Sequence, residues 1–119
     1  MSRFVLSAVA TQRDDDFLVV VSVISADDFH PRRGLRPENF RVSQLTTDSD
    51  DTFADRPVVA ATEGPHGVYR LRLAPSESLP RQRSGRYVLV VEVTAPPHGG
   101  GAEYHGQTLT VGDLAPSPG

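Results

Sequence analysis

The segment FLVVVSVISA, residues 17–26, decides the fold. Phe17, Val19, Val21 and Val23 fall on one face at period two, and β-branched residues dominate the run. That is the pattern of a strand with one face in a core; a helix would repeat its apolar positions every three or four residues. The same alternation returns in residues 68–74, where Tyr69, Leu71 and Leu73 oppose Arg70 and Arg72, and in residues 86–94, where Tyr87, Leu89, Val91 and Val93 align. These three segments predict the core. Four weaker ones complete a set of seven: residues 3–11, 39–45 with Phe40 and Val42 inward, 57–62, and 103–112 with Leu109 and Val111 inward.

Turn-forming clusters separate them, at residues 14–16, 27–37, 46–56, 64–67, 75–85 and 96–101. Seven of the ten glycines and seven of the ten prolines are concentrated there, and no stretch of a dozen residues keeps a helical period. Short strands with regular turn signals predict an antiparallel sandwich or small barrel, one domain over residues 1–113, with 114–119 a flexible tail.

The bulk numbers narrow the function. A chain of 119 residues can bury a single core without covalent help. Cysteine is absent, which removes disulfide frameworks, thiolate metal sites and cysteine nucleophiles together. All 12 basic residues are arginine, and against 15 acidic ones they leave a net charge of −3, so nucleic acid is not an expected partner. The apolar opening, residues 4–10, is too short for a secretory signal and reads better as the first strand. No run approaches a membrane span, so the expectation is a cytoplasmic protein without membrane contact, export by another route aside.

Ser84, Gly85, Arg86 and Tyr87, leading into Leu89, Val91 and Val93, resemble the sixth strand of immunoglobulin-like and fibronectin-like domains, a bacterial sandwich superfamily among them. Gly67, Val68 and Tyr69, leading into Leu71 and Leu73, look like the fifth strand of the same group. The resemblance covers residues 3–112 as a strand pattern. It implies an all-β, seven-strand immunoglobulin-like antiparallel β-sandwich, in which Tyr87 is either a tyrosine corner or a plain core tyrosine. With no Cys pair and no Trp, the antibody-type core is absent.

Strands that alternate in direction would bring His30, His66 and His98 to one end, near Asp27 and Asp28, where a metal or carbohydrate site is conceivable. The spacing is not a metal motif, Phe29 is the sole aromatic on those loops, and loop histidines are usually solvated; His105 is expected to be structural or exposed. The other end would collect Asp14, Asp15, Asp16, Asp48, Asp50, Asp51 and Asp55 with Arg81 and Arg83. Counted from Asp48, however, Phe53 and Val59 stand where a calcium loop needs Gly and Glu, so a solvated acidic rim is the better reading. Arg32, Arg33 and Arg36 form a basic cluster beside Asp27, Asp28 and Glu38, which reads as self-compensated. No nucleophile elbow, phosphate loop or zinc-protease motif occurs, so no catalytic residue and no cofactor is assigned.

One oddity points to a partner. Leu18, Val20 and Ile24 oppose the core set of their strand, and Val88 and Val90 do the same in theirs. A two-layer sandwich buries one face of each sheet, so these side chains meet water unless something covers them or arginine stems such as those of Arg70 and Arg72 shield them. The leading expectation is a non-catalytic protein-interaction or assembly module that uses the sheet face around Val88 and Val90, or an exposed edge strand, with a homodimer its simplest form. A ligand-binding module using the histidine loops is the alternative.

Overall fold

The computed structural model describes residues 3–13, 16–45, 53–74, 86–96 and 103–113. They form eight strands: β1 (Phe4–Arg13), β2 (Asp16–Ser25), β3 (Phe40–Leu45), β4 (Phe53–Arg56), β5 (Val58–Glu63), β6 (Val68–Leu73), β7 (Arg86–Ala95) and β8 (Tyr104–Asp113). Two three-residue 3-10 turns, Pro37–Asn39 and Pro65–Gly67, are the only helical pieces among the described residues. The strands make two antiparallel sheets of four, ordered β1-β2-β6-β5 and β4-β3-β7-β8. Among the described residues no helix is long and apolar enough to cross a membrane.

The core follows from the period-two pattern. Val19, Val21, Val23, Tyr69, Leu71 and Leu73 of the first sheet and Phe40, Val42, Leu89, Val91 and Val93 of the second are buried in one continuous cluster. Burying a Val or Leu side chain stabilises by about 1.5–3 kcal/mol, which is why the apolar face of each strand, and not its turn chemistry, sets register. The side chain of Phe17, expected inward, lies outside the described residues, as do the tail 114–119 and the Ser84–Gly85 lead-in to β7.

Two expectations are corrected. The strand count is eight and not seven, because β4 arises inside residues 46–56, a segment with the composition of a turn. Its apolar signal is inverted: Phe53 points out and is half exposed, while Arg56 points in and is buried. The added strand does not reverse the loops. β4 pairs antiparallel with β3, and β5 antiparallel with β6, so β4 and β5 run the same way, one chain segment that leaves the second sheet and joins the first at Pro57. The Ala74 N–H donates to the Pro57 carbonyl at 2.8 Å, and the Arg56 guanidinium donates to the Ala74 carbonyl and to Gln44, which fixes the crossing.

Leu109 and Val111 are the second correction. They are 59% and 48% exposed, on the outer face of β8, and Tyr104, Gly106, Thr108, Thr110 and Gly112 take the inner one. The cause is the close approach of β1, joined to β8 by a parallel bridge between Arg3 and His105. A β-carbon at Gly106 would stand 2.8 Å from the Phe4 β-carbon and 3.0 Å from Leu6, so this face takes small residues and hydrophobicity alone selects the wrong side.

Candidate functional site

Leu18, Val20 and Ile24 lie on the outer face of the first sheet and Val88 and Val90 on that of the second, so the structure divides the five between opposite surfaces of the sandwich. All five are half-buried. Their surroundings differ. Across β2 and β6, Leu18 pairs with Arg72 and Val20 with Arg70, which places long arginine stems beside them. Across β7 and β8, Val88 pairs with Val111 and Val90 with Leu109; on its other side Val90 pairs with Ser43. None of these cross-strand partners of Val88 and Val90 is a long basic side chain.

The face of the second sheet is graded along its strands. Phe53 pairs with Leu45, level with Val88 and Val111, and the next row holds Asp55, Ser43, Val90 and Leu109. Beyond it come Arg41, Glu92 and Gln107. An apolar group of six (Leu45, Phe53, Val88, Val90, Leu109, Val111) therefore occupies one end of the face, and a charged row borders it. Arg41 Nε lies 3.6 Å from Asp55 Oδ1, with both side chains more than half exposed, a contact that contributes about 0–1 kcal/mol. Sequence reasoning finds Val88 and Val90 but not the other four, because Leu109 and Val111 read as inward and Phe53 as part of a turn. The glycines of β8, six residues apart and so on one face, are the signal that this face is the crowded one.

The histidine end is built differently. β2, β5 and β7 all finish there, so His30 and His66 do share a pole; both are exposed, and His98 lies outside the described residues. The His30 N–H donates to Asp28 Oδ1 at 3.1 Å, and that bond holds the Asp28 carboxyl below the usual range. Glu63 accepts from the Gly34 N–H at 2.7 Å, and Asp27 accepts from the Tyr104 hydroxyl. Among the described residues no group of three His, Asp or Glu side chains is placed to hold a metal ion.

Arg32 belongs to the fold of this pole. Its guanidinium sits 5.6 Å from the Tyr104 ring centroid and 6.0 Å from that of Phe4, two rings that stack at 5.1 Å, and it donates to the Pro96 carbonyl at 2.9 Å. Tyr69, wholly buried, donates to the Arg32 carbonyl at 2.6 Å and accepts from the Leu35 N–H. Arg33 and Arg36 are exposed, as is Glu38. Phe29 is 73% exposed with φ of 58°, and His66 has φ of 63°, both in the left-handed region that side chains seldom adopt. His105 is exposed, 3.4 Å from Glu103.

Of the acidic pole, Asp55 is described and serves Arg41, while Asp14, Asp15, Asp48, Asp50, Asp51, Arg81, Arg83 and the side chain of Asp16 lie outside the described residues. Phe53 and Val59 are strand residues, so the chain from residue 48 does not form a twelve-residue calcium loop. The Tyr87 hydroxyl donates to the Ala10 carbonyl at 2.9 Å, across the sandwich to β1.

No family model, curated protein or solved structure matches the chain.

Proposed function

We propose that the chain is a non-catalytic protein-interaction module of the immunoglobulin-like kind, binding through the outer face of the β4-β3-β7-β8 sheet. The strand orders support the fold reading. Relabelled by sequence, they correspond to A-B-E-D and C-F-G with one strand added beside C, the arrangement of that superfamily.

The observation that carries the function is the six-residue apolar end of this face, with Leu109, Val111 and Phe53 each about half exposed or more and bordered by charge. A contiguous apolar patch with a polar margin is the surface form of a protein interface. The edges support it less. β4 has four residues, β5 follows Pro57 and carries a bulge between Val58 and Ala60, and β1 and β8 stand against each other, which are the usual ways of blunting an edge. The histidine pole is weaker ground for a ligand, since Asp27, Asp28 and Glu63 already accept hydrogen bonds from their own loop and its neighbours.

Affinity capture with the wild-type chain and with Leu109→Asp as baits tests the reading, with melting curves to check that both fold. A protein, this one included, held by the wild type and lost from Leu109→Asp supports it. Identical capture by the two baits removes it.

A further inference from the structure

We infer that the occupant of this face is a second copy of the chain, stacked about a two-fold axis that runs parallel to the strands between β3 and β7. The inference rests on the interaction reading above and adds the identity and orientation of the partner.

The register of the sheet carries it. Arg41 on β3 pairs directly with Glu92 on β7, both pointing outward, as the burial of Phe40, Val42, Val91 and Val93 on either side of them requires. A two-fold axis along the strands between β3 and β7 exchanges those two strands and keeps every row at its own height. Arg41 of one copy then faces Glu92 of the other, and Glu92 faces Arg41, so one row supplies two reciprocal ion pairs. The same operation sets Leu45 over Val88 and Phe53 over Val111, an apolar layer meeting its own complement. In the next row Ser43 faces Val90 and Asp55, on the outermost strand, faces Leu109 at the rim, where its carboxylate stays beside Arg41 and reaches water.

Other stackings lose one of these matches. An axis across the strands lays each strand over itself, so it either sets Arg41 on Arg41 and Glu92 on Glu92 or carries the charged row of each copy away from that of its partner. An isologous interface must be self-complementary, and here the sequence places opposite charges symmetrically about the line between β3 and β7. At about 4.8 Å between strands and 3.3 Å per residue, the rows that β3 shares with β7 and β4 with β8 give a flat footprint of about 300 Å² per copy before side-chain relief, below the roughly 800 Å² of a standard interface and in the range of a weak, reversible dimer.

Charge exchange tests it on the full chain. Sedimentation and light scattering across the micromolar to millimolar range should show a monomer–dimer equilibrium for the wild type. Arg41→Glu alone and Glu92→Arg alone should each weaken the dimer by about tenfold or more, because like charges then meet at both pairs. Mixing the two variants should restore association as a heterodimer, in which the introduced glutamate faces the introduced arginine and the native Glu92 faces the native Arg41. Melting curves separate loss of association from loss of fold, and the heterodimer signal cannot arise from repair within a chain.

A wild type that stays monomeric throughout overturns the second-copy inference; the interaction reading would then stand or fall by the Leu109→Asp comparison alone. A dimer indifferent to all three substitutions forms elsewhere and overturns the second-copy inference, again leaving the interaction reading to the capture comparison. A dimer lost in Leu109→Asp but unaffected by charge exchange keeps the face and overturns the axis.

Discussion

The Tyr87 hydroxyl reaches the Ala10 carbonyl of the opposite sheet across a space that exists because its pairing partner on β8, Gly112, has no side chain. A β-carbon at 112 would collide with the Tyr87 ring and hydroxyl. One glycine thus allows a side chain of β7 to tie β1 to the second sheet.

Gly112→Ala should therefore destabilise by about 1–3 kcal/mol, through overpacking. Tyr87→Phe should cost about 1 kcal/mol, the worth of one buried hydrogen bond. Because both act on one contact, the double variant should lose less than the sum, which denaturant unfolding of the four proteins will show. Strict additivity would mean that the two residues act apart.

Tyr69 gives a pH prediction. Burial raises its phenol above the ordinary 10.0, more than the hydrogen bond from Leu35 lowers it. A folded value above the unfolded one means stability that is whole below pH 10 and falls as pH rises above it, because the unfolded chain releases its proton first. Denaturation midpoints should accordingly decline above pH 10, and Tyr69→Phe should flatten that decline. The substitution should also cost about 1–3 kcal/mol at neutral pH, since it strands the Arg32 carbonyl and the Leu35 N–H. An equally steep alkaline decline in the variant would assign it to other groups.

Arg56 is 4% exposed and holds Gln44 and the Ala74 carbonyl together at the sheet crossing. Arg56→Ala should destabilise by about 2–4 kcal/mol, a sum of cavity and stranded acceptors. Replacing both polar partners, as Arg56→Met with Gln44→Leu, should recover most of that loss, because buried polar pairs are often no better than packed hydrocarbon. A double variant as unstable as Arg56→Ala would show that the guanidinium makes contacts that packing cannot replace.

Arg32→Ala should leave the sheets intact and loosen the loop over residues 26–36. Amide exchange should speed up at position 32 and at Gly34, whose N–H groups bond to Val23 and Glu63, while Val21 and Leu71 keep their protection. Unchanged loop exchange would show that Tyr69 suffices as the anchor.

Legibility in the sequence followed the physics of burial. Where apolar side chains alternate with polar ones, as at Val19 to Val23, Tyr69 to Leu73 and Leu89 to Val93, the strand and its inner face could both be read. It failed at β4, whose buried residue is arginine and whose exposed one is phenylalanine, and at β8, where the closeness of β1 reserves the inside for glycine and threonine. The interaction face was half visible for the same reason. Val88 and Val90 stood out because their own strand has a better face, while Leu109 and Val111 look like core until the neighbouring strand is seen.

Because β4 and β5 are one run of backbone shared between the sheets, the flank opposite β1 and β8 joins the two sheets at the crossing beside Pro57 and Ala74. Its two edges should come away as one cooperative unit, baring β3 and β6 in the same event. What loosens one sheet along this side thus loosens the other, and a substitution at the crossing should weaken both halves of the sandwich together.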